Sequence, residues 1–177
     1  MMTTQQLNTK ELFASLDAAS SELLALISSA DTSIINRVPF KNSWTAAQLV
    51  VHLIKSNSHI VRSLSLKGKI IERDPAERAP ELEKIFLDFS TKMQSPEFIL
   101  PQDMIYHKEE IIKDYVQSME QLKEERDHVN LLEAISHRAF GEITKLELLY
   151  FVLYHTQRHL HQLKNILSIL FYPKNQQ

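Results

Sequence analysis

The chain has 177 residues, 44% hydrophobic and 24% charged, with a formal net charge of −2. This length and composition predict one domain over residues 1–177, with enough apolar material to offset chain entropy without disulfides. Cysteine is absent and glycine occurs only twice, at Gly68 and Gly141, which excludes a cysteine nucleophile, disulfides and iron–sulfur clusters, nearly excludes Gly-rich phosphate loops and points to long helices.

The opening residues, from Met1 to Leu7, lack a basic stretch followed by an apolar run, so no secretory signal is expected. No uninterrupted apolar stretch approaches ~18 residues, so no membrane span is expected. The basic residues are scattered, which gives no electrostatic footprint for nucleic acid. A cytoplasmic protein is the default expectation.

The first helical pattern covers residues 9–30, where Leu12, Leu16, Ala19, Leu23, Leu26 and Ile27 recur at three- and four-residue steps. The second covers 44–66, with Asn42 or Ser43 as its N-cap and a stripe of Leu49, Leu53, Ile60 and Leu64. Val50, Ile54 and Val61 widen that stripe. The surplus apolar width suggests a homodimer. Lys67-Gly68 suits a helix end. Residues 69–107 contain Pro75, Pro80, Pro96 and Pro101 and therefore no long helix. A short helix is expected at 80–92, and the whole connection is a candidate cover for one end of the fold.

The third pattern covers 108–128, with Ile111, Ile112, Tyr115, Met119 and Leu122 as its apolar stripe. A polar linker at 136–140 and Gly141 follow. The fourth pattern covers 144–170, and Thr144-Lys145-Leu146-Glu147 has the form of a capping box. An all-α, four-helix bundle is the simplest architecture. The long second connection permits two successive helices to run parallel.

The chemistry lies in the eight histidines. His155 and His159 are four residues apart, so they differ by ~40° around a helix and sit one turn apart. An H-x-x-x-H pair of this kind chelates a transition metal from one helix. Leu148, Val152 and Ile166 share their sector, which directs the pair inward, and Gln162 follows one turn later. His161 is turned away by more than ~120°. The pair is also compatible with two semi-buried histidines that bond only to neighbours. A third ligand would come from His52, His59, His107, His128 or His137. His52 shares a polar row with Thr45, Gln48, Ser56 and His59, which suits the lining of a wet cavity. Trp44 suits a packing anchor at the bundle end. Tyr150 and Tyr154 suit the core or its rim.

The segment Ser43-Trp44-Thr45-Ala46-Ala47-Gln48-Leu49-Val50-Val51-His52-Leu53 resembles the W-[ST]-x-x-[QE]-x-x-x-H-[LI] signature of the DinB/YfiT-like superfamily. His155-Thr156-Gln157-Arg158-His159-Leu160-His161-Gln162 resembles its second signature, H-x-x-[RH]-H-x-x-Q. The motifs stand in the right order, and the resemblance covers essentially the whole chain. It implies an up-down-down-up bundle and one divalent metal held by His52, His155 and His159. Zn²⁺ or Ni²⁺ heads the candidates, with Mn²⁺ and Fe²⁺ also compatible with imidazole ligands. Family members include thiol S-transferases using bacillithiol or mycothiol, a thiol-dependent isomerase, and proteins annotated only as metal-dependent hydrolases.

Three neutral imidazoles leave an ion with open positions, which is the pattern of a catalytic site. The leading expectation is transfer of a low-molecular-weight thiol to a small-molecule electrophile. A metal-hydroxide hydrolase and a non-catalytic metal-binding module are the alternatives. Gln48 and Gln162 are candidates to orient water, thiol or substrate.

Overall fold

The computed structural model describes the backbone of residues 4–171 and the side chains of residues 9–171. In chain order the elements begin with α1 (Thr4–Ser29), α2 (Thr32–Ile35), α3 (Ala46–Leu64) and β1 (Lys69–Ile70). They continue with α4 (Ala79–Phe86), a 3-10 turn at Glu97–Ile99, α5 (Lys108–His128), β2 (Glu133–His137), β3 (Gly141–Thr144) and α6 (Lys145–Phe171). The four long helices α1, α3, α5 and α6 carry the architecture. α1 packs on α6, α3 on α5, and α3 also on α6. Leu16, Leu23 and Ile27 of α1, Leu49 and Leu53 of α3, Leu122 of α5 and Leu148 and Leu163 of α6 have no solvent exposure. Full burial of such a side chain contributes about 1.5–3 kcal/mol before entropy is subtracted.

Thr9–Ser29 is the one segment among the described residues long and apolar enough, by length and composition, to cross a membrane. Leu12, Leu16, Leu23 and Ile27 along it lie in the core, and its Asp17 and Glu22 pair with Lys123 and Lys164. A helix that serves as one side of a bundle core has the same composition.

α3 starts two residues later than its N-terminal pattern suggests, and neither Asn42 nor Ser43 caps it. Thr45 is the N-cap: its hydroxyl accepts the Gln48 N–H at 3.1 Å, and the Gln48 carboxamide oxygen accepts the Thr45 N–H at 3.0 Å. Asn42 instead holds φ at 62°, a left-handed turn that asparagine tolerates. Val50 is buried, and Ile54 and Val61 pack against the core, so their apolar area is used at least in part within the chain. The short helix expected at 80–92 ends at Phe86. Beyond it, the Asp88 carboxylate accepts the Ser90 N–H at 3.0 Å and the Thr91 hydroxyl at 2.6 Å, which draws the chain into a turn.

The linker at 136–140 proves to be part of a small antiparallel sheet, so the fold is mostly helical rather than all-α. The strand order is β1-β2-β3, with Ile135 opposite Ile143 and Lys69 opposite Ala134. Both glycines serve this sheet, Gly68 immediately before β1 and Gly141 at the start of β3. Gly141 holds φ at +67° at the turn between β2 and β3. A Cβ on Gly68 would stand 2.6 Å from the Glu133 Cβ and 2.8 Å from the Ala134 carbonyl oxygen, so close approach of β1 to β2 requires glycine.

β3 leads directly into α6 through the expected capping box. Thr144 Oγ1 accepts the Glu147 N–H, and Glu147 Oε2 accepts the Thr144 N–H, both at 2.9 Å. Glu147 has no exposure. It also accepts two guanidinium bonds from Arg73, at 2.6 and 2.8 Å, and the Arg78 N–H at 2.9 Å. Burial pushes its carboxyl up, but the bonds from Arg73, Thr144 and Arg78 outweigh that and hold it below the ordinary value. This carboxylate fixes the start of α6 to the connection that follows β1.

Candidate metal centre

α3 supplies His52 and α6 supplies His155 and His159 on successive turns. His155 Nε2 lies 3.1 Å from His52 Nε2 and 3.0 Å from His159 Nε2. The three rings are 1%, 6% and 6% exposed in the order His52, His155, His159. The outer nitrogens settle which atoms converge. His52 donates its Nδ1–H to the Ile99 carbonyl at 3.1 Å, and His159 donates its Nδ1–H to Gln162 Oε1 at 3.0 Å. Ser56 Oγ lies 3.5 Å from His155 Nδ1. With Nδ1 carrying the proton on His52 and His159, their Nε2 lone pairs face the centre.

Burial holds all three imidazoles in the neutral form. His52 is lowered to about 4 and His159 to about 3. His155 falls well below its ordinary value through burial and the neighbouring His159 and His52. Aromatic rings enclose the cluster. Trp44 stands 4.8 Å from His52, centroid to centroid, and Phe151 stacks on His155 at 5.0 Å. Trp44 is therefore a wall of the site.

The donor set fits a divalent transition ion. The three ligand atoms lie within 4.8 Å of one another, and no carboxylate or further imidazole joins them among the described residues. Neutral nitrogens with converging lone pairs at 3.0–3.1 Å are mutually unfavourable unless a cation or a shared proton lies between them. Their outer hydrogen bonds are the kind that orient metal-ligating histidines.

A profile of the DinB superfamily matches residues 15–163. The chain belongs to the DinB superfamily. A search of curated proteins finds no match. Among solved structures, TT2238, described as a four-helix bundle protein, is similar at a TM-score of 0.59 and 20% identity. The similarity covers 88% of this chain and 98% of TT2238, and at that identity it speaks for the fold alone.

In this DinB chain the remaining histidines separate clearly. His107 is the residue before α5, and His128 Nδ1 bonds the Glu124 carbonyl at 2.6 Å. His161 is turned away from the cluster and stacks on Phe89 at 4.1 Å. His59 and His137 pair with each other at 5.3 Å. Both glutamines expected to orient water or substrate hold hydrogen bonds within the fold. Gln48 is committed to the α3 capping box and donates to the Gln102 carbonyl at 3.3 Å. Gln162 orients His159 itself.

The cluster borders a cavity of about 860 Å³. Ser56 and His59 line it, as the polar row of α3 suggests, but Gln48 does not; rings such as Trp44, Phe86 and Phe151 share the wall with polar side chains that include Arg158 and Gln162. The proline-containing connection forms its cover. Lys55 Nζ reaches the Leu100 carbonyl at 2.6 Å, and Asn36 exchanges two bonds with the Tyr106 backbone at 2.9 and 3.0 Å. Arg158, between the two ligands of α6, donates to the carbonyls of Phe86, Asp88 and Thr91. No periodicity or spacing marks that clamp, although Arg158 stands inside the second signature. Tyr150 and Tyr154 stack on each other at 6.0 Å, away from the cavity wall.

Proposed function

We propose that this DinB protein is a divalent-metal-dependent enzyme that joins a low-molecular-weight thiol to a small electrophile. The observation that carries the reading is the convergence of three buried, neutral Nε2 atoms on one point at the wall of a cavity, with no fourth protein ligand among the described residues. His52, His155 and His159 would hold the ion. A divalent ion there supplies Lewis acidity, which lowers the pKa of a thiol or water presented to it.

The chain's own residues do the rest. Ile99 and Gln162 fix two of the imidazoles, so little reorganisation remains when the site is used. Trp44, Phe86 and Phe151 exclude water around the reacting sulfur. The thiol gives up its proton to solvent, and the sulfur–carbon bond would form as the electrophile's carbon-to-leaving-group bond breaks, the leaving group departing with that electron pair. The rings that stand against the cluster, Trp44, Phe86 and Phe151, suit an apolar electrophile at that point better than the hydrated substrate of a hydrolase.

An up-down-down-up course is part of this reading, since it sets which helices face the ion. Three sets of contacts support it. Asn57 meets Ser118 and Ser65 meets Glu125, as for parallel α3 and α5. His52 meets His159 and Ser56 meets His155, as for opposed α3 and α6. Ala30 meets Lys108 and Ser20 meets Tyr115, as for opposed α1 and α5.

The test is consumption of an electrophile by Zn²⁺- or Ni²⁺-loaded protein with a panel of thiols that includes bacillithiol and mycothiol. Thiol-dependent turnover that disappears with chelation and in His159→Ala is the expected result. Turnover of ester or amide substrates without any thiol would transfer the assignment to a hydrolase. Absence of turnover in both assays would leave a metal-binding module.

A further inference from the structure

Residues 96–102 cover the cavity without belonging to any sheet or long helix. Phe98, Ile99 and Leu100 line the cavity, and Ile99 is buried. The segment's own backbone bonds are local: the Ile99 N–H goes to the Pro96 carbonyl and the Leu100 N–H to the Glu97 carbonyl. Among the described residues no backbone–backbone bond ties it to another element. One face of α3 holds it instead. Gln48, His52 and Lys55 are four and three residues apart and so share that face. They donate to the carbonyls of Gln102 at 3.3 Å, Ile99 at 3.1 Å and Leu100 at 2.6 Å.

The middle donor is also a metal ligand. A neutral imidazole has one N–H. With the proton on Nδ1, His52 holds the Ile99 carbonyl and leaves Nε2 free for an ion. With the proton on Nε2 it does neither. Without an ion, the converging Nε2 atoms at 3.0–3.1 Å are relieved only when a ring brings a proton into the centre. A proton that His52 supplies there is withdrawn from Ile99. An ion on Nε2 removes that alternative and fixes the bond to Ile99. The next carbonyl along the chain is held by Lys55 in the shortest of the three bonds, so Lys55 sets where the Ile99 carbonyl lies.

We propose that Lys55 is a positioning residue of the metal centre and that residues 96–102 are a lid coupled to it. An ion on His52 Nε2 fastens the lid, and by reciprocity a loosened lid weakens the hold on the ion. The proposal rests on the reading of the three histidines as ligands. Its consequence for the enzyme is that the cavity wall carrying Phe98, Ile99 and Leu100 is complete only in the loaded protein. Electrostatics alone gives Lys55 the opposite sign. Burial keeps His52 neutral, and the Lys55 charge acts in the same direction. That charge also opposes a divalent ion, so without the lid its removal would tighten zinc binding.

The experiment measures zinc affinity by chelator competition at pH 7.5, and amide exchange of residues 96–103 in zinc-loaded and EDTA-stripped protein. In wild type, zinc should slow exchange at Ile99 and Leu100 about tenfold. K55M should bind zinc about tenfold more weakly, as when an outer partner of a ligand is lost, and zinc should no longer slow exchange in the segment. K55R keeps a donor and should recover most of both. P101G loosens the segment without touching α3 and should also weaken zinc. Exchange of residues 111–122 in α5 reports the rest of the fold and should match wild type in every variant. Zinc affinity in K55M equal to or above wild type, or wild-type exchange at 96–103 unmoved by zinc, would overturn the lid and leave the metal centre standing. Zinc loss that K55R does not recover, with faster exchange in α5, would assign the effect to the fold and overturn the role of Lys55. A wild type that binds no zinc would overturn the metal centre, and the lid with it.

Discussion

Gln162 accepts the Nδ1–H of His159 at 3.0 Å from one turn further along α6, and this bond turns the His159 Nε2 lone pair toward His155. The glutamine is thus a second layer of the metal centre. Replacing Gln162 with Leu should weaken divalent-metal affinity by about 10–100-fold, the usual loss when such an orienting partner is removed. Gln162→Glu keeps an acceptor and should retain most of the affinity. Competition with a chromophoric chelator measures both. Unchanged affinity in the Leu variant would mean that packing alone orients the ring.

The ligand assignment itself predicts about one divalent ion per chain, with most of it lost in His159→Ala. His161→Ala is the matched control. His161 is only two residues away but stacks on Phe89 at 4.1 Å and faces away from the cluster. Metal analysis of purified variants decides the matter. Strong loss in His161→Ala, or wild-type metal in His159→Ala, contradicts the site.

The long helices and the His155/His159 pair were legible because both obey one period, whereas His52 was singled out from five candidate histidines only by the resemblance of its motif. Leu12, Leu16, Leu23 and Ile27 repeat at helical steps, and all are in the core. His155 and His159 obey the same rule. The small sheet was illegible for the converse reason. β1, β2 and β3 have two, five and four residues, too few to establish alternation against a polar background. Its one clear signal was glycine itself, since a chain with only Gly68 and Gly141 uses both there. Gln48 illustrates a different limit. It shares a helical sector with His52, but at the third position of α3 the unpaired backbone N–H groups of the first turn compete for its carboxamide, and the cap takes it. Arg158 could not be placed because its partners are carbonyls of a loop whose path no periodicity encodes.

Acid should destabilise the metal-free protein in a defined window. His52 and His159 are held neutral in the fold, at about 4 and about 3, while in the unfolded chain they titrate near 6.5. Between those values the unfolded state binds more protons, so stability is complete above about pH 6.5 and declines as the pH falls toward 4. Urea midpoints measured at pH 7.5, 6.5, 5.5 and 4.5 should fall steadily below the second point. In a His52→Phe/His159→Phe double variant the slope between pH 6.5 and 4.5 should become shallower. An equal slope in the double variant would assign acid sensitivity to the carboxylates, Glu147 first among them.

The Arg73–Glu147 pair predicts a change in stability that leaves the metal centre intact. Arg73→Met removes two guanidinium bonds from a carboxylate with no exposure and leaves that charge with backbone partners only. Breaking a buried pair from one side costs about 3–5 kcal/mol, and the 22% exposure of the Arg73 side chain places this case at the lower end. Denaturant unfolding at pH 7.5 should therefore show a loss of about 3 kcal/mol. Glu147 retains its reciprocal bonds with Thr144, so α6 still starts at the same residue. His155 lies two turns further on and takes its orientation from Ser56, Phe151 and the other two imidazoles. Metal affinity measured below the unfolding transition should consequently match wild type. A parallel loss of affinity would show that the start of α6 and the metal centre form one cooperative unit.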